Sequence, residues 1–337
     1  MLVVTALFLY IYNSLPVFQS KEANFSLEQQ QERVEQKVNK SIEGENIFQF
    51  MGKNQEEIIG MLGEPERIDP SAYDYEWWIY KNGVSSYMQI GIADSRVVTV
   101  YATGDELDAA PFQIGEQRDD LEKKVSMDSE VQLDYNGGDY RFELSGEDQQ
   151  KSPLVRYNQV FVQLYFDHFL NTLSSIRIMD EETLLKQRPY ELSYRGPLVN
   201  PKPLDDQQWH QVEEGAEKQI LDITNVIRAH HELKPLLWNE KAANVAYKHS
   251  KDMSDHRYFS HVSPIEGDLG NRLKEGNVPF TMARENIAAQ YQDGAAAVEG
   301  WLNSEGHRKA LLNKDFTYLG VGVYQKYYTQ NFIRTLP

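Results

Sequence analysis

The chain has 337 residues, 41% of them hydrophobic, with 5 Trp, 20 Tyr and 14 Phe, which is material for two packed domains and excludes a disordered chain. It has no cysteine, so a disulfide framework, a thiolate metal site and a cysteine nucleophile are all excluded. The net charge of −17 is uneven: from Gly215 onward there are 15 Lys+Arg against 14 Asp+Glu, so the acidity lies in the N-terminal part, where it repels a nucleic-acid backbone.

Residues 2–12 form an apolar run, short of the roughly 20 residues a membrane helix needs. A Gln/Glu-rich tract follows at once. That juxtaposition predicts an export signal or membrane anchor over 1–20, with residues 2–12 as a membrane tether; a buried first helix or strand is the alternative. Residues 21–45 read as a polar spacer with weak helical spacing.

An internal repeat occupies 46–185. Phe48-Gln49 followed by Gly52 and a polar-acidic turn reads against Phe112-Gln113 followed by Gly115 and a similar turn. Each turn leads into a short amphipathic helix whose acidic residues suit its positive end. Alternating aromatic and β-branched segments follow, over 73–80, 86–92 and 97–101 in the first copy and 140–144, 157–166 and 173–179 in the second. One helix with three strands exposes an apolar sheet face, so two copies are expected to pack together or side by side. The aromatic string Tyr73, Tyr75, Trp77, Trp78 and Tyr80 is expected in the core rather than on a binding face.

Pro189, Pro197, Pro201 and Pro203 mark 186–212 as an interdomain linker that continues neither a helix nor a central strand. In 213–337, Ile220, Ile223, Val226 and Ile227 recur at helical spacing, a second helix follows Asn239, and 318–333 reads as two antiparallel strands. The expected class is α+β: a duplicated helix-plus-antiparallel-sheet domain, then a C-terminal α-β-α sandwich.

Several blocks in 213–337 carry a resemblance. They are Asn225-Val226-Ile227-Arg228, Pro235-Leu236-Leu237-Trp238-Asn239, Tyr258-Phe259-Ser260-His261, Glu285-Asn286-Ile287-Ala288, Trp301-Leu302-Asn303-Ser304-Glu305-Gly306-His307-Arg308 and Leu319-Gly320-Val321-Gly322-Val323. In this order they resemble the CAP superfamily of cysteine-rich secretory proteins, venom antigens and plant pathogenesis-related proteins. Leu62-Gly63-Glu64-Pro65 and the aromatic string after it resemble the CAP-associated N-terminal domain of Bacillus-type proteins. The resemblance implies the CAP fold, a location outside the cell or on the outer face of the cell membrane, and a cleft where two histidines and acidic residues converge. His261, Glu285 and His307 take three of those positions, and Ser304 stands where many members carry a second acid. Glu299 and Glu305 are expected to point elsewhere on the helix, and Arg284 replaces a common glycine.

On that resemblance, His261 and His307 are the candidate ligands of a divalent cation such as Zn²⁺, with Glu285 orienting one ring or activating a bound water. No cofactor is required by the sequence. The alternative is that the histidines only pin loops. His249 and His256 read as structural or surface residues, and His230-His231 as the cationic close of the first helix. Three functions follow: a secreted module binding an envelope, lipid or protein ligand in the cleft; a metal-dependent hydrolase or peptidase with Glu285 as candidate catalytic base; and an interaction protein working through the acidic N-terminal domain. Ser260 and Ser304 lie near His261 and His307, but no Gly-x-Ser-x-Gly elbow surrounds either.

Overall fold

The duplication begins at two glycines that do the same thing. Gly52 and Gly115 both take a left-handed φ, +75° and +85°. The Gly52 amide donates to Val97 O and the Gly115 amide to Leu173 O, while Val97 and Leu173 donate back to Lys53 O and Glu116 O. These matched bonds tie each turn to the last strand of its own copy. The computed structural model describes residues 44–335, so the expected export signal and nearly all of the spacer lie outside the described residues.

After a 3-10 turn, the first copy runs α1 (Gln55–Leu62), β1 (Arg67–Pro70), β2 (Glu76–Asn82), β3 (Ser86–Ala93) and β4 (Arg96–Gly104). The second runs α2 (Arg118–Leu121), β5 (Glu130–Tyr135), β6 (Gly138–Glu143), α3 (Gly146–Lys151), β7 (Leu154–Tyr157), β8 (Val160–Asp167) and β9 (Thr172–Met179). α1 is closed by a reciprocal capping box between Asn54 and Glu57. Its counterpart α2 is a single turn, because Gln117 makes no side-chain cap bond. The strands join as β1-β2-β3-β4-β9-β8-β7, the two copies meeting through their last strands with Tyr101 opposite Arg177.

Two expectations for the second copy are corrected. The stretch expected at 140–144 does not enter this sheet: its residues 140–143 lie in β6, which pairs with β5 and with a later strand, β10 (Glu191–Arg195), in a separate sheet ordered β10-β6-β5. The segment 157–166 is not one strand: Asn158 turns left-handed (φ +54°) and folds it into the β7–β8 hairpin.

The linker expected over 186–212 is also corrected. α4 (Glu181–Gln187) ends inside it, and β10 (Glu191–Arg195) follows, paired antiparallel with β6. β10 fits between Pro189 and Pro197 as an edge strand, where a missing amide is tolerated. α5 (Asp206–His230) then starts earlier than the apolar spacing suggests, because Asp205 and Gln208 make a capping box ahead of the first buried residue.

The C-terminal layers are α5, β11 (Leu237–Trp238), α6 (Glu240–Asp255), α7 (Leu269–Glu275), β12 (Met282–Ala289), α8 (Gly294–Leu302), α9 (Glu305–Leu311), β13 (Tyr318–Tyr324) and β14 (Tyr327–Arg334). The sheet runs β11-β13-β14-β12. Alternation along β13 builds the sandwich. Leu319, Val321 and Val323 share a core with α5 and α8, while Gly320 and Gly322 let the α6 backbone lie so close that any Cβ would strike Ala243 N or Tyr247 N.

The large sheet is buried on both faces. Trp78, Tyr80, Met88, Ile90 and Val100 pack with α1 and its turns. Tyr75, Trp77, Tyr87, Tyr101 and Tyr165 point the other way, into one core with Ile220, Ile223 and Trp301 of the C-terminal layers. The aromatic string is core, as expected, and the seam it forms carries polar pairs. Arg67 and Lys81 reach Asp222 at 2.8 and 3.1 Å, and the fully buried Arg177 reaches Asp293 at 2.8 Å.

Glu299 of α8 is buried in this seam, accepting from Tyr101 Oη at 3.1 Å and Ser175 Oγ at 2.6 Å. Burial raises its carboxyl from 4.5 to about 7 against the pull of those hydroxyls. Between those values the folded state holds a proton that the unfolded chain has released, so stability falls as pH rises through the window and levels off above it. The unfolding free energy of Glu299→Gln, measured in urea at pH 5 and pH 8, is expected to gain on wild type by roughly 2–3 kcal/mol between the two.

Candidate ligand cleft

Four elements of the C-terminal layers supply the cleft. The loop after α6 carries His261. It is pinned from below by Ser263, whose hydroxyl donates to Asp252 at 2.7 Å and accepts from the amides of Ile265 and Glu266. His249 of α6 is buried, and its Nε2 lies 3.0 Å from Ser260 O, so it holds the same loop and is structural, as expected. Burial lowers its pKa and keeps it neutral.

α7 delivers Arg272. Its Nη1 donates to His261 O at 3.0 Å and Gly267 O at 2.8 Å, and its Nη2 donates to Glu285 Oε2 at 2.6 Å. The side chains of Arg272 and Glu285 are 1% and 3% exposed, which makes this a desolvated ion pair. Glu285 projects from β12, and its Oε1 lies 3.0 Å from His261 Nδ1. A carboxylate beside an arginine only accepts, so Nδ1 carries the proton of this bond.

His307 stands in the first turn of α9, with Nδ1 2.9 Å from Ser304 Oγ. Ser304 occupies the N-cap with no side-chain bond to the helix amides; its hydroxyl serves the imidazole instead. Asn286, next to Glu285, donates to His307 O at 3.2 Å and so ties β12 to α9. The His261 and His307 rings lie 6.4 Å apart between centroids. Burial, and then the neighbouring His261, lower the His307 pKa.

The sequence candidates therefore converge: His261, Glu285, His307 and Ser304 share one site. Glu299 and Glu305 do not, the first lying in the interdomain seam and the second paired with Lys309 at 2.6 Å in solvent. Both oxygens of Glu285 are engaged, Oε1 by His261 and Oε2 by Arg272. Each histidine spends Nδ1 on a neighbour, which leaves two Nε2 atoms. Among the described residues no three His, Asp or Glu side chains lie close enough to share a metal ion, so the donor set is one short of the usual zinc site. His256 stays at the surface against Asp252, whereas His230 and His231 do more than end α5: they face Asp105 and Asp167 of the N-terminal region at 3.9 and 3.7 Å.

Arg272 escaped the sequence reading. Its signal was a charged residue at the apolar spacing of α7, beside Leu269 and Leu273. Also unread was the exposure around His261, where Phe259, Val262 and Ile265 are 55%, 57% and 68% accessible. So many exposed apolar side chains on one pinned loop are unusual for a solvated surface.

Comparison with known proteins now bears on this geometry. Residues 51–190 match the CAP-associated N-terminal family and residues 221–335 the cysteine-rich secretory protein family, CAP. The chain is 50% identical over 323 residues to a Bacillus subtilis (strain 168) protein named uncharacterized membrane protein YlbC, covering 96% of this chain and 93% of that one. The chain belongs to the CAP superfamily. A second B. subtilis relative, uncharacterized protein YkwD, is 40% identical over 119 residues, 35% of this chain and 46% of its own length. Among solved structures, an extracellular protein containing a SCP domain from Bacillus anthracis superposes with TM-score 0.83 at 49% identity, over 86% of this chain and 96% of that one. A cysteine-rich secretory protein from Staphylococcus aureus shares the fold at TM-score 0.77 and 24% identity, over 87% and 96%. Among the described residues of this CAP protein, no helix is long and apolar enough to cross a membrane.

The ion pair beneath the CAP cleft gives a stability prediction. Arg272→Met leaves Glu285 buried and uncompensated, and is expected to cost about 3–5 kcal/mol in urea unfolding. The double variant Arg272→Met/Glu285→Gln is expected to recover most of that loss, since neither partner is then charged.

Proposed function

We propose that this protein works outside the cell membrane as a ligand-binding module, with the His261/His307 cleft as its site. One observation carries the reading. Both imidazoles are fixed from behind through Nδ1, His261 by a buried carboxylate and His307 by Ser304, so two oriented Nε2 atoms remain for a ligand. The extracellular description of the B. anthracis protein and the membrane name of the B. subtilis relative support that location, with residues 2–12 as the tether or export signal.

The ligand this surface suits is an amphiphile. Its polar head meets the two imidazoles, and its apolar part lies on Phe259, Val262 and Ile265, which flank His261 in the chain. Binding of a fluorescent long-chain fatty acid to the full chain tests this. His261→Ala/His307→Ala and Val262→Ser/Ile265→Ser are each expected to weaken it about tenfold, roughly 1.4 kcal/mol. Affinities equal to wild type in both variants would overturn the reading.

A second reading puts a divalent cation between the rings, favoured by the two open Nε2 atoms and their 6.4 Å ring separation. Its test is calorimetric titration with Zn²⁺. Wild type is expected to release binding heat that His261→Ala/His307→Ala lacks; identical titrations would dispose of the cation site. Hydrolysis through Glu285 is less well supported, because Arg272 and His261 already occupy its carboxylate. Work through the N-terminal domain is also less well supported, since both faces of its large sheet are covered.

A further inference from the structure

A cavity of about 400 Å³ opens along the seam between the N-terminal sheet and the CAP layers. Its walls come from both sides: Gln163 and Tyr165 of β8 with the end of α3, against Glu299 of α8, its C-cap Asn303 and the loop before that helix. The walls are fixed. Asn303 donates to Phe166 O at 2.7 Å and accepts from the His168 amide at 2.9 Å, while Glu299 takes hydroxyls from β4 and β9. Cavities at domain seams are common ligand sites, and this one falls within the usual size range.

Its chemistry is specific in charge. Glu147, Asp148 and Glu299 line it with a single ammonium, Lys151, which is already paired with Glu147. Glu299 is 2% exposed, and its Oε2 is buried with no hydrogen-bond partner, although Oε1 has three hydroxyl donors within reach. An unpaired buried carboxyl oxygen is costly, and a cation beside it offsets that cost. Around the wall, the side chains of Gln290 and Gln292 and the hydroxyl of Tyr291 have no hydrogen-bond partner among the described residues. These groups suit a ligand with several hydroxyls, and the rings of Tyr165 and Tyr291 give it flat apolar surface.

We propose that this seam cavity is a second binding site, taking a small polyhydroxylated primary amine such as an amino sugar, with its ammonium toward Glu299 and its hydroxyls on the Gln290–Gln292 loop. The site is separate from the His261/His307 cleft, none of whose residues line it.

The test is NMR titration of the full chain with glucosamine, glucose and glucuronate, read at the amides of Gln290, Tyr291 and Gln292. Glucosamine is expected to shift these amides and to bind at least tenfold more tightly than its uncharged counterpart glucose, with glucuronate weakest. Glu299→Gln is expected to reduce glucosamine affinity about tenfold, worth roughly 1.4 kcal/mol. Lys151→Gln, which frees Glu147, is expected to strengthen it. Because Lys151 touches only the rim, this second variant keeps the test informative if Glu299→Gln folds poorly. Absence of shifts at tens of millimolar glucosamine, equal affinity for glucose, or weaker binding by Lys151→Gln would each overturn the proposal.

Discussion

The rest of this structure depends on one sheet that has no solvent face. A seven-stranded antiparallel sheet with a single helix on one side would leave an aromatic surface open, and exposed faces of that size recruit partners or aggregate. Here the second face is closed by α5 and α8 of the same chain, in a core shared by Trp77, Tyr101, Tyr165, Ile220 and Trp301. The N-terminal region and the CAP layers are therefore halves of one core rather than beads on a linker. The described residues, 44–335, form one compact unit for this reason. The prolines between them shape a connection that is itself paired and packed.

A seam built this way has to bury polar groups as well, and how it satisfies them explains its chemistry. Arg177 has no exposed surface, yet it keeps its charge because Asp293 lies at 2.8 Å and the rings of Tyr101 and Tyr165 stand nearby. Burial with no cation beside it keeps the Glu299 proton on to higher pH than for an ordinary carboxyl, against the pull of its hydroxyl partners. The two groups share a setting and differ in their partners. That difference is why one is a structural rivet and the other a candidate contact for a ligand.

The sequence made visible whatever repeats or follows a local period. Gly52 and Gly115 announced the duplication because only a left-handed turn requires glycine there, and the isoleucines of α5 announced a helix. The ordered blocks around His261, Glu285 and His307 brought the cleft within reach, since a resemblance transmits spatial convergence that spacing alone does not. What stayed hidden was set by partners distant in the chain. That residues 140–144 would leave the main sheet is decided by pairing with β10, some fifty residues on, where Tyr140 opposes Tyr194. Arg272 looked like a surface charge because its burial depends on Glu285, a residue on a different element. The second face of the aromatic strands could be read as core, but not as a core shared with the C-terminal layers.

Seam and cleft are joined by continuous chain, which gives the N-terminal domain a mechanical role in the site. α8 places Glu299 and Asn303 against β4, β8 and β9, and Ser304 follows Asn303 directly as the N-cap of α9 and the hydrogen-bond partner of His307. Arg308, one residue beyond His307, reaches back to Asp167 of β8 at 2.8 Å. The His307 side of the cleft is thus braced on both flanks by the N-terminal sheet, whereas His261 is braced within the CAP layers by Arg272 and Glu285. A CAP domain without its N-terminal partner would keep the second brace and lose the first. The distance between the two imidazoles, 6.4 Å between ring centroids, is then a property of the whole chain.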